Sequence, residues 1–169
     1  MKRILFPFVV TMLLLVGNCT KKDPETIASD WYVRTKHEIM KYADLHSDSS
    51  VMTIRDDGFA TTDAYVNGRI FIRTTRDGMH TRARSYFSGD FELRQELCDN
   101  GELSFEGVVY NSTFYGWSTW RRCNGQLEER GIRFNNVRVG VWRKYDEDGN
   151  LVEQTDYQRQ EKLDSLPVI

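Results

Sequence analysis

The sequence predicts an all-β fold, an antiparallel meander of stacked hairpin repeats preceded by one helix. One observation is the placement of glycine. After Gly17, every glycine lies between Gly58 and Gly149, and five of them recur as turn signals, each behind Asp or Asn. These are Asp57-Gly58, Asp77-Gly78, Asn100-Gly101, Asn124-Gly125 and Asp148-Gly149, spaced 20, 23, 24 and 24 residues apart. Such pairs favour tight turns, because both residues tolerate positive φ. The other observation is alternation between the turns. Phe91, Leu93 and Leu97 alternate with Glu92, Arg94 and Glu96, and Leu103 and Phe105 alternate with Glu102 and Glu106. A period of two is that of a strand with one buried face. A single hairpin cannot bury its own apolar face, so successive units must stack.

In chain order, the first element is an export signal over residues 1–18. Twelve of its residues are apolar, behind a short positive start at Lys2 and Arg3. The run Ile4 to Val16 would reach roughly 20 Å as a helix, short of the ~30 Å hydrocarbon core. A cleaved signal is therefore expected rather than a membrane span. Cys19 follows in the string Leu15-Val16-Gly17-Asn18-Cys19. This string resembles the lipobox of bacterial lipoproteins, although Asn18 stands where Gly or Ala is usual. The resemblance implies lipidation of Cys19 and a palmitate-type anchor in the bacterial cell envelope, facing the periplasm or the surface. Several acyl chains, at ~0.8 kcal/mol per buried CH₂, hold a protein on a bilayer without a spanning segment. Removal of residues 1–18 leaves 151 residues with 21 basic and 25 acidic side chains, a net charge of −4. That balance offers no uniformly basic face, and no nucleic-acid partner is expected.

Residues 19–26 then form the lipidated cysteine and a polar tether. A helix and linker are expected over 27–50, because 25–46 contain neither Gly nor Pro and Pro24 suits a helix start. Trp31, Ile39, Tyr42 and Ala43 would share its broad apolar face, covering one edge or end of the sheet. The β-hairpin repeats occupy 51–157, and 158–169 form a tail or cap.

The last repeat units match in detail. Leu103, Leu127 and Leu151 each follow a turn glycine by two residues, Gly107 aligns with Gly131, and Gly116 with Gly140. The best unit reads Asn124-Gly125-Gln126-Leu127, Gly131-Ile132-Arg133-Phe134 and Gly140-Val141-Trp142-Arg143-Lys144-Tyr145. This pattern resembles the bacterial variant of the MORN-type repeat, strongly over about 60 residues and weakly over 50 more. The resemblance implies a slender antiparallel sheet that docks or binds through a broad face. Relatives of this kind are often described as antitoxin components, a role that sits poorly with an export signal.

A search for chemistry yields little. His37 and His46 are nine residues apart, not the three or four that place two ligands on one helix turn. Asp44, His46 and Asp48 read as a polar linker. No nucleophile, general acid–base pair or metal motif stands out, so no enzyme activity and no cofactor is expected. Cys98 and Cys123 are either two buried thiols or a disulfide; their one-residue offset relative to equivalent glycines sets them on opposite strand parity unless a bulge intervenes. Trp117, Trp120, Trp142 and Tyr145 are the candidate binding face, with packing between units as the plainer reading. The expected function is a non-catalytic protein-interaction or structural module of the envelope, whose partner is another envelope protein. A carbohydrate- or ligand-binding lipoprotein is the first alternative, and an antitoxin- or immunity-like partner the second.

Overall fold

A computed structural model describes residues 23–157, 163 and 165–169; the expected signal and Cys19 lie outside these residues. One helix, α1 (Pro24–Met40), precedes ten strands: β1 (Ser49–Ile54), β2 (Phe59–Val66), β3 (Arg69–Asp77), β4 (His80–Ser88) and β5 (Phe91–Leu97), then β6 (Leu103–Tyr110), β7 (Thr113–Arg121), β8 (Leu127–Phe134), β9 (Val137–Tyr145) and β10 (Leu151–Asp156). Each strand pairs antiparallel with the next, in the order β1 to β10, giving one open sheet not closed into a barrel. The all-β meander of hairpins with an N-terminal helix is thus the observed architecture.

The five glycine turns all lie at one end of the sheet. Four share one geometry, in which the glycine N–H donates to the carbonyl three residues back: Gly58 to Arg55, Gly101 to Cys98, Gly125 to Arg122 and Gly149 to Asp146. Their φ values of +84 to +86° explain why glycine is needed. The opposite end turns differently. Asn67-Gly68, Asn111-Ser112 and Asn135-Asn136 have positive φ at both positions, the type I′ geometry that matches strand twist. Asparagine opens all three, and only the first has a glycine behind it, so glycines alone miss the other two.

The helix starts at Pro24, inside the stretch read as tether. Asp23 caps it by accepting from the Thr26 N–H at 3.2 Å, and proline loses nothing at a first-turn position. Its end at Met40 is earlier than the Gly/Pro-free run allows. The buried residues Ala28, Trp31, Thr35 and Ile39 form one stripe at helical spacing. Tyr42 was expected on that stripe but lies beyond the helix and is 47% exposed. Nor does α1 cover an edge: it lies across β4, β5, β6 and β7 in the middle of the sheet. There it seals two adjoining cores. Trp31 and Ile39 pack with Phe91, Leu93 and Val108, and Ala28 packs with Trp117, Ile132, Val139 and Leu163. Leu93, Val108 and Ile132 are fully buried, each such side chain contributing about 1.5–3 kcal/mol. The Trp31 indole N–H donates to the Pro167 carbonyl at 2.6 Å, which ties the C-terminal residues over the same face.

The contact is close because one strand position lacks a side chain. Gly116 sits at a β7 bulge with φ +69°, and a Cβ there would stand 2.6 Å from the Trp31 ring. At the edge of the sheet, the residues of β1 are all exposed.

Candidate functional site

The sheet has two unlike faces. On the helix face, Glu106 of β6 is a buried polar node. It accepts from the Tyr32 hydroxyl, from Lys36 Nζ at 2.7 Å and from Gln95 Nε2 at 2.7 Å. Burial works to raise the Glu106 pKa, yet these three donors and the Lys36 charge outweigh it and hold the carboxyl below its ordinary value. Tyr32 is driven strongly upward, first by burial and then by the Glu106 charge, so its hydroxyl stays protonated and donating. Arg143 adds a second tie between sheet and helix, reaching Glu25 at 3.0 Å.

A group with a lowered folded pKa stabilises the fold above its unfolded pKa, about 4.3 for glutamate, and loses that contribution as pH falls through the folded value. Wild type should therefore be more stable than Glu106→Gln at neutral pH, and the gap should shrink as the pH falls below about 4. Urea titrations of both proteins between pH 3 and 7 test this. A gap independent of pH would refute the linkage.

On the other face, side chains form a continuous ladder of rings. Phe105 lies edge-on to Phe114 at 5.5 Å and tilted against Trp120 at 4.8 Å; Trp120 meets Trp142 at 5.8 Å, and Trp142 meets Tyr157 at 6.4 Å. Guanidiniums cover the rings. Arg94 lies 5.5 Å from the Phe114 centroid, Arg138 lies 4.0 Å from Trp142, and Arg133 lies 5.4–5.7 Å from Phe114, Trp120 and Trp142. Such contacts contribute about 0.5–2 kcal/mol each. Arg94 is neutralised by Glu92 at 2.8 Å and Arg138 by Glu129 at 2.9 Å. Among the described residues, Arg133 has no such carboxylate, and its buried Nε has no partner. Burial and the neighbouring Arg138 charge both weaken its hold on its proton. Among the described residues, no helix or loop covers this face.

The four aromatics expected to share a binding surface are divided between the two faces. Trp117 packs under the helix in the core with Ala28 and is 5% exposed, and Tyr145 lines the cleft beside it. Trp120 and Trp142 belong to the open ladder. The cause is parity: Trp117 and Trp120 are three residues apart on one strand, an odd number, so their side chains point oppositely. Trp142 is itself 2% exposed. Its ring is held between the Arg138 guanidinium and the Gly131 backbone, where a Cβ would stand 2.1 Å from the indole.

Cys98 and Cys123 are joined as a disulfide, with a Cα separation of 5.6 Å. Neither lies within a strand; each occupies a turn at the same end of the sheet, so strand parity does not govern them. Asn100 reinforces the link by donating to the Cys123 carbonyl at 2.7 Å. Cys19 is outside the described residues.

No family model and no curated protein matches this sequence. Among solved structures, the chain is similar to a mutant of S. aureus TarM in complex with fondaparinux, α-GlcNAc-glycerol and UDP, at a TM-score of 0.35 and 7% identity, over 79% of this chain and 25% of that one. A second TarM crystal structure gives a TM-score of 0.33 and 8% identity, over 78% of this chain and 24% of that one. The chain spans about a quarter of the length of either, and likeness at this level carries no functional argument.

Proposed function

We propose that this chain is a lipid-anchored lipoprotein of the bacterial cell envelope, tethered through Cys19, whose repeat sheet is a non-catalytic surface for docking another envelope protein. The observation that supports this reading is the uncovered arginine–aromatic ladder. Arginine and large aromatics are the residues most enriched where protein partners bind tightly. A rigid sheet also presents them at low entropic cost. The same ladder disfavours the carbohydrate alternative, because sugar stacking needs an open ring face and both faces of Trp142 are occupied. The MORN-type resemblance agrees with a docking role.

The test uses intact cells producing the full chain with a photo-cross-linking residue in place of Trp120, on the ladder, or of Val33, on the exposed side of α1. Discrete adducts with one envelope protein at position 120, and none at 33, are expected. Equal labelling at both positions would overturn the docking face. In parallel, Cys19→Ala should release the protein from the membrane fraction; unchanged membrane association would overturn the anchor.

A further inference from the structure

On the helix face, two adjoining clefts of about 370 Å³ and 210 Å³ open between the first turns of α1 and strands β6 to β9. They share Trp117, Leu127 and Arg130 as walls. The carboxylates around them are satisfied. Glu25 is paired with Arg143, Asp23 caps the helix, and Glu106 has its three donors. Arg143 apart, the guanidiniums are not. Among the described residues, Arg130 stacks 4.0 Å over Trp117 and has no salt bridge, and Arg121 reaches only the Gly125 carbonyl, at 3.3 Å.

The register brings these two cations together. Thr119 lies directly opposite Arg130 across the β7–β8 pair, and Arg121 follows Thr119 by two residues on the same face. Two arginines from neighbouring strands and one threonine thus share a face, and all three line the smaller cleft. Tyr32 and Glu106 of the node described above line the same cleft. Beside them Trp117, only 5% exposed, has an indole N–H with no acceptor among the described residues. The unfilled groups are thus donors, while the apolar walls are Leu103 and Leu127.

We infer that this cleft is a binding site for a compact oxyanion, a carboxylate or phosphate group of a small polar molecule, bridged by Arg121 and Arg130 over Thr119. Guanidinium forks match both groups in shape and charge. The site is separate from the open ladder and does not depend on the anchor.

Isothermal titration calorimetry on the full chain, purified in an uncharged detergent, tests it with three probes: inorganic phosphate, glucuronate and, as neutral control, glucose. Saturable binding of phosphate or glucuronate is expected, with glucose silent. Tighter phosphate would point to a phosphorylated ligand, and tighter glucuronate to a carboxylated one. The Arg121→Gln/Arg130→Gln variant should lose at least about tenfold in affinity, which is the scale of one charge-assisted contact. Thr119→Val should lose less, and Arg133→Gln, on the opposite face, should bind as wild type does. Absence of saturable binding by either anion to folded wild type would overturn the inference. So would binding of glucose as tight as that of glucuronate, or anion binding unchanged in the double arginine variant.

Discussion

Replacing Cys98 and Cys123 by alanine should lower the stability of this domain by about 3.5 kcal/mol. The sequence separation is 25 residues, and closing such a loop removes that much chain entropy from the unfolded state in the loop-entropy model. The bond joins the turn after β5 to the turn after β7, so it spans the hairpin made by β6 and β7. For a protein of this size the expected fall in Tm is about 7–14 °C. Thermal unfolding of wild type, of the double alanine variant and of reduced wild type gives the measurement. Reduced wild type and the variant should melt together. A variant melting within about 2 °C of oxidised wild type would show that the link adds nothing.

Gly131→Ala should be the most damaging single substitution in the last repeat units, costing about 3 kcal/mol or somewhat more. Its φ is not in the left-handed region, so backbone strain does not enter. The cost is steric: the added methyl would stand 2.1–2.4 Å from three ring atoms of Trp142, which is buried and cannot swing clear without losing the Arg138 stack and its own N–H bond to the Ile132 carbonyl at 3.0 Å. Overpacking of this kind costs typically 1–3 kcal/mol, and occasionally more. Gly107→Ala supplies the graded comparison. There the nearest atom is the far end of the Phe105 ring at 2.9 Å, followed by Phe114 at 3.2 Å. The order Gly131→Ala worse than Gly107→Ala should appear in urea midpoints, with a shift in tryptophan emission only for the former. Equal midpoints would show that Trp142 is free to move.

These two glycines show how far the sequence reading reached. Gly107 and Gly131 align in the repeat, and that alignment is legible from spacing alone. Their purpose is not. It lies in aromatic rings that cross above them, Phe105 and Phe114 over one and Trp142 over the other. The turns followed the same logic. The five glycine turns were readable because positive φ at those positions demands a particular residue type. The turns at 111–112 and 135–136, which have no glycine, were not, since asparagine has many other uses on a surface.

The site residues divide similarly. Trp117, Trp120, Trp142 and Tyr145 stand out by type, but a list of aromatics has no faces. Strand parity separates Trp117 from Trp120, and only the position of α1 decides which of the two faces is closed. The arginines were visible as a scattered group. Among the described residues, Arg138 has a carboxylate partner while Arg130 and Arg133 have none, a difference that depends on which carboxylates the fold brings near.

What the sequence by itself determined is local: strands of period two, a turn at every repeat, and a helix starting near Pro24. These follow from steric limits on single residues and from hydrogen bonds within a few positions, so the chain carries them wherever it lies. What the tertiary structure decided is the placement of α1 across the middle of the sheet. Two unrelated spacings settle that placement: the stripe of Ala28, Trp31, Thr35 and Ile39 on the helix, and the bare backbone at Gly116 on β7, where the Trp31 ring fits. Burial of that surface is non-directional and depends on what meets across a gap of more than eighty residues. It is this contact that closes one face and leaves the other open.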